Sequence, residues 1–144
     1  MIGTRGIGGE RMWLLKTEPT AYGYDDLERE GRTAWDGVRN PAALKNLRSM
    51  KPGDAAVIYH TGDERAAVGL AEVVRAAYPD PKKDDPRLVA VDLVPRGRFK
   101  RPVSLDEIKS LALFNESPLV RQGRLSVVPL TAAQWKALIA RGAA

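Results

Sequence analysis

The sequence predicts an α+β fold in which a mixed sheet curls into a small barrel with short helices on its flanks. Three observations predict it. Apolar runs and helical spacings follow one another in the order β-α-β-α-β-β-β-α-β-α. The helical stretches are short and uneven, unlike the regular crossovers of a doubly wound parallel sheet. In the middle, the apolar runs 55–60 and 66–74 are separated only by residues 61–65, the arrangement of a hairpin.

Taken in order, residues 1–11 hold Gly3, Gly6, Gly8 and Gly9 without a periodic apolar pattern, so a flexible tail is expected before a single domain over 12–144. Gly6-Ile7-Gly8-Gly9 is no phosphate loop, because no strand precedes it and no Lys-Ser/Thr pair follows. Met12-Trp13-Leu14-Leu15 is an apolar run of strand length that ends in Lys16-Thr17-Glu18, and Pro19 then holds Glu18 out of helical geometry. Residues 24–31 read as a short helix with acidic residues in the first turn and a glycine stop. Residues 33–35 are extended. Asn40-Pro41 is an N-cap followed by proline at the first helical position, and Leu44 and Leu47 continue that helix to Met50.

Residues 55–60 and 66–74 are strands, and Val68, Leu70 and Val74 share a face of the second. Residues 78–86 contain three prolines and mixed charges, and so form an exposed connection. A strand returns over 88–95. Beyond it Arg96, Arg98 and Lys100 recur at every second residue, which places three cations on one face of extended chain, with Arg101 adjacent. Ser104-Leu105-Asp106-Glu107 and Thr131-Ala132-Ala133-Gln134 are capping boxes that open two further helices. Between them, residues 117–123 are irregular and 125–130 form the last strand. Trp13 and Trp135 lie among apolar residues and belong to the core.

The composition narrows the function. There are no cysteines, which excludes a disulfide scaffold, a thiolate zinc site and a cysteine nucleophile, and suits a reducing interior, for which the cytoplasm is the expected location. A single histidine, His60, with no acidic cluster at ligand spacing, implies no metal, and nothing implies a cofactor. No apolar run reaches the roughly 18 residues of a membrane span, and the first ten residues lack a signal-peptide core, so no membrane partner is expected. The net charge of +5 is uneven: residues 1–72 carry 10 basic and 11 acidic side chains, residues 73–144 carry 13 and 7. A basic half of this kind fits a polyanion such as nucleic acid. Trp35 stands beside Asp36-Gly37, where a turn glycine lets the backbone approach whatever lies on the ring. A ring face together with Lys16, Thr17 and Glu18 makes a pocket for a planar heterocycle.

Several runs carry a resemblance. Trp13-Leu14-Leu15-Lys16-Thr17-Glu18-Pro19, Trp35-Asp36-Gly37-Val38-Arg39-Asn40, Tyr59-His60, Ala71-Glu72-Val73-Val74, Ala77-Tyr78-Pro79-Asp80 and Pro118-Leu119-Val120-Arg121-Gln122-Gly123-Arg124-Leu125-Ser126-Val127 resemble the EVE domain family, in order and over almost the whole chain. The family belongs to the PUA-like group, whose pseudo-barrel is also that of YTH readers. The resemblance implies a non-catalytic reader that binds a modified base of DNA or RNA in a pocket at one end of the barrel, with an effector protein as a partner for any downstream effect. By position it places Lys16, Thr17, Trp35, Asn40, Tyr59, His60, Arg121 and Ser126 around that pocket, with Glu18, Asp36 and Gln122 as further contacts. Arg121, Arg124 and Arg39, with the stripe Arg96, Arg98 and Lys100, would hold phosphates. Thr17 replaces the family's usual serine and keeps the hydroxyl, and Gly123 offers no side chain where a small polar residue is common.

Two other readings follow from the same residues. Lysine, hydroxyl and carboxylate at Lys16, Thr17 and Glu18 are the residue types with which related ASCH proteins hydrolyse acylated nucleosides. Consecutive strand residues point to opposite faces, however, so the three converge only if the turn at Pro19 bends them inward. A basic barrel that binds RNA without base selectivity is the other.

Overall fold

The computed structural model describes residues 11–143. Its elements are β1 (Met12–Thr17), α1 (Tyr24–Glu30), β2 (Thr33–Trp35), α2 (Pro41–Ser49), β3 (Ala55–His60), β4 (Ala66–Pro79), β5 (Val89–Ser104), α3 (Leu105–Lys109), α4 (Pro118–Arg121), β6 (Val127–Leu130) and α5 (Ala132–Ala143). All ten expected elements are present in the expected order, and α4 is a single turn within the stretch read as irregular. Of the expected N-terminal tail only Arg11 lies within the described residues; it accepts the Ala55 N–H through its carbonyl, at 3.1 Å.

The strands form one six-stranded mixed sheet in the order β2-β5-β4-β3-β1-β6. β1 and β3 are parallel, and every other neighbouring pair is antiparallel. The edges β2 and β6 do not pair, so the barrel is open. Its bend comes from β4 and β5, whose register shifts at Ala67/Gly69, Leu70/Ala71, Val73/Arg75 and Arg75/Tyr78. Each shift is a bulge that tightens twist and turns the strand. These bulges also explain why β5 runs on through Ser104, beyond the end expected at Pro95. Pro95 pairs with Ala71 beside one of the shifts, where a missing donor breaks no regular ladder.

Helix α1 is bolted across the sheet by Tyr24. Its buried hydroxyl donates to the Leu70 carbonyl at 2.6 Å and accepts the Gly97 N–H at 3.1 Å. The ring lies so close to Gly69 that a Cβ there would stand 2.7 Å from it, so β4 needs glycine at this point. The predicted caps are in place: Asn40 accepts the Ala43 N–H, Ser104 the Glu107 N–H, and Thr131 and Gln134 bond reciprocally. Trp13 and Trp135 are buried, as expected. Asp80, at the head of the connection expected to be exposed, is buried. No described helix is long and apolar enough to cross a membrane.

Candidate functional site

β1 ends with Thr17 beside the turn that carries Tyr22, and β2 ends with Trp35 and Asp36. Between them lies a hollow of about 340 Å³. Thr17, Ala21 and Tyr22 form one wall, Glu30 and the run from Thr33 to Asp36 another, and Lys82 of the long β4–β5 connection stands at its margin. Trp35 is 7% exposed, and the Tyr22 ring meets it edge to face at 6.0 Å and 88°. Both residues line the hollow, and their rings hold the perpendicular arrangement that aromatic pairs prefer.

The polar groups of the hollow are tied in place. The Thr17 hydroxyl donates to the Tyr22 carbonyl at 2.6 Å, and the Tyr22 hydroxyl donates to Glu30 at 2.6 Å. Burial and the Glu30 carboxylate push the Tyr22 phenol up to about 12, so it remains a donor at any physiological pH. Asp36 pairs with Lys82 at 3.3 Å. The next residue, Gly37, sits at φ +76°, a left-handed turn that only glycine adopts freely, and its N–H donates to Asp80 at 3.0 Å. The same carboxylate accepts the Lys82 N–H at 2.9 Å. One buried side chain therefore fixes both the turn after Trp35 and the segment that carries Lys82.

Of the residues expected at the pocket, the structure brings Thr17, Trp35 and Asp36 together. Lys16 points to the other face of β1 and donates to the Gly123 carbonyl at 3.0 Å, and burial draws its pKa below the usual amine value. Its register partner is Tyr59, and its N–H bonds to the Ser126 carbonyl, so Tyr59 and Ser126 are associated with Lys16 and not with the hollow. Gln122 is the C-cap of α4. Glu18 folds back on Thr20, whose N–H and hydroxyl hold its carboxyl below the usual range. Asn40 spends its side-chain oxygen on the α2 cap.

His60 is 7% exposed and both ring nitrogens are used inside the fold. Nε2 accepts the Tyr24 N–H at 3.0 Å, which requires the proton on Nδ1, and Nδ1 faces Glu64 at 2.8 Å. The first of these bonds ties the ring to the first turn of α1.

The cationic stripe is exposed, but two of its members are engaged. Arg96 pairs with Glu72 at 2.7 Å, and Arg98 pairs with Asp25 and with Glu28 of α1. Arg101 and Arg141 clamp Glu107, and Arg121 pairs with Glu116 at 2.9 Å. Arg39, Lys100 and Arg124 are exposed, and no side-chain bond holds them among the described residues. Sequence reasoning missed Tyr22, Glu30, Thr33 and Lys82. The first three were within reach, since they flank Thr17 and Trp35 in the chain, whereas no local signal marks Lys82. A second hollow, of about 410 Å³ beside Trp13 and Pro129, borders Arg11, the first described residue.

The EVE domain profile matches residues 11–141. Rat thymocyte nuclear protein 1 is 33% identical over 89% of this chain and 72% of its own length. A Rhodopseudomonas palustris protein superposes with a TM-score of 0.86 at 36% identity, over 92% of each chain. Human THYN1, solved in complex with 5-methylcytosine-containing DNA, superposes with a TM-score of 0.84 at 31% identity, over 92% of this chain and 98% of that one. An ASCH protein from Zymomonas mobilis shares the fold, with a TM-score of 0.57 at 10% identity over 90% of this chain and 95% of that one. The expected cytoplasmic location is corrected by these relatives, since those in vertebrates are by name nuclear proteins. Lack of cysteine suits the nucleus as well as the cytoplasm, since both are reducing, and so does not separate them. The chain belongs to the EVE domain family.

Proposed function

We propose that this EVE domain is a non-catalytic reader that takes one modified base of a nucleic acid into the hollow beside Trp35. The base lies against the indole and the Tyr22 ring, and Thr17 and Asp36 meet its edge. Arg39, Lys100 and Arg124 meet phosphates from the surface. Asn40 and His60 act by holding α2 and α1 in place. The observation that carries this reading is the aromatic-walled hollow, about 340 Å³ and so of a size for a single heterocycle, in a chain 31% identical to a protein seen with 5-methylcytosine-containing DNA. A base must leave its stack to enter such a site, and stacking on an aromatic wall repays part of that cost. The alternative of hydrolysis has less support, because Lys16 and Thr17 point to opposite faces and Glu18 is bound to Thr20.

The test is a titration of oligonucleotides that carry different modified cytosines and adenines against their plain counterparts. Trp35→Ala should weaken the modified oligonucleotide by roughly tenfold to a hundredfold and the plain one little, since a stacked base is worth about 1–3 kcal/mol. Tyr22→Leu keeps an apolar filler at a less buried position and should show the same selective loss if Trp35→Ala unfolds. Equal losses on both oligonucleotides, or turnover of an acylated nucleoside, would overturn the reading.

A further inference from the structure

Resting on that reading of the hollow, we infer that the Asp36–Lys82 ion pair is an exchangeable closure. The base's amino group replaces the ammonium on Asp36, and the released Lys82 moves to the phosphate of the same nucleotide. The inference starts from an asymmetry between the two carboxylates of the wall. Glu30 is committed to the Tyr22 hydroxyl at 2.6 Å, a bond within the fold. The only partner of Asp36 among the described residues is the Lys82 Nζ at 3.3 Å, and that side chain is 76% exposed. Exposed ammonium–carboxylate pairs are weak and readily exchanged. Asp36 is therefore the acceptor that a ligand can claim.

Asp36 is also held ready. It follows Trp35, which is in register with Val91 of β5, and it precedes Gly37, whose N–H is fixed by Asp80. A fixed carboxylate selects an N–H donor on the base edge, as acidic side chains select the exocyclic amine of cytosine. The substrate class is thus a base that carries an exocyclic amine, and a base with a carbonyl in its place would set oxygen against carboxylate. Lys82 supplies the other half. Its backbone is pinned by the same Asp80, so the ammonium swings on a flexible stem from a fixed point at the margin of the hollow. When the base amine takes its place, the ammonium is free to reach a phosphate of the same nucleotide from the margin of the hollow.

The experiment uses single-stranded oligonucleotides with one central 5-methylcytosine or one central thymine, which share the methyl group and differ at the amine. Affinities are measured over a range of salt for the wild type, Asp36→Asn and Lys82→Ala. The wild type should prefer 5-methylcytosine by roughly tenfold, within the range of one base-edge contact. Asp36→Asn should bring that ratio close to one and leave the salt slope unchanged. Lys82→Ala should keep the ratio and make the slope shallower by about 0.7, the loss of one phosphate contact on a single strand. A preserved ratio in Asp36→Asn, or an unchanged slope in Lys82→Ala, overturns the exchange while the base-pocket reading stands. A wild type with no preference for 5-methylcytosine over thymine overturns the exchange as well, and the base-pocket reading falls with it only if no modified cytosine or adenine binds better than its plain counterpart.

Discussion

Asp54 and Asp80 are built alike and do different things. Both are buried, at 1% and 3% exposure, and both accept N–H groups from segments far away in the chain. Asp54 takes the Trp13 indole N–H at 3.0 Å together with the backbone N–H groups of Arg11 and Lys51. Asp80 takes the backbone N–H groups of Gly37 and Lys82 and leaves the neighbouring indole of Trp35 alone. In the first case the carboxylate binds the ring itself and locks it as a piece of the core where β1 and β3 begin. In the second it binds the turn two residues beyond the ring, so the indole is positioned through its backbone at the side of the hollow. The same interaction makes a foundation in one place and fixes a wall of the hollow in the other, according to which atom of the tryptophan segment it grips.

Removing each carboxylate would break the comparison if it were false. Asp54→Ala should have the largest effect on stability, about 3 kcal/mol, because three N–H groups lose their acceptor in a buried site. Chemical denaturation reads that loss, while the remaining folded protein should bind a modified oligonucleotide unchanged. Asp80→Ala leaves two N–H groups and should cost less, about 2 kcal/mol, but it should also weaken binding by roughly tenfold, because the turn after Trp35 and the Lys82 segment lose their common anchor. If Asp54→Ala weakened binding as much as Asp80→Ala, the division between foundation and wall would fail.

The apolar runs were enough to locate all six strands in order and to make the sheet mixed, because such runs are a local property, but not to find the ends of β4 and β5, which run on to Pro79 and Ser104. Half of the hollow was legible for the same reason: Thr17 ends an apolar strand, and Trp35-Asp36-Gly37 is a contiguous ring and turn. Lys82 was not legible, since it lies in a proline-rich connection and reaches Asp36 only through the fold. The cationic stripe shows the opposite limit. Arg96, Arg98 and Lys100 are all exposed, but their period-two spacing could not reveal that Tyr24 lays α1 across β5 and so brings Asp25 and Glu28 to Arg98. His60 likewise has the residue type of a base contact, and only the fold shows that both of its ring nitrogens have partners, one of them a backbone N–H.

A third carboxylate sharpens the comparison from the side of titration. Glu107 lies between Arg101 and Arg141, which hold its carboxyl down at about 2 through paired hydrogen bonds. Unlike Asp54 and Asp80 it grips only side chains, and both arginines are partly open to water. Its folded pKa lies below its unfolded value, so the stability it adds is complete above about pH 4.5 and disappears as pH falls toward about 2. Solvent screening limits that contribution to roughly 1 kcal/mol. Glu107→Gln should therefore lower the denaturation midpoint slightly at pH 7 and make almost no difference below about pH 2, where the wild-type carboxyl is largely protonated in both the folded and the unfolded state. A mutant deficit that stayed constant across this range would mean that Glu107 acts by packing, as a buried carboxylate does through fixed donors, and not by its charge.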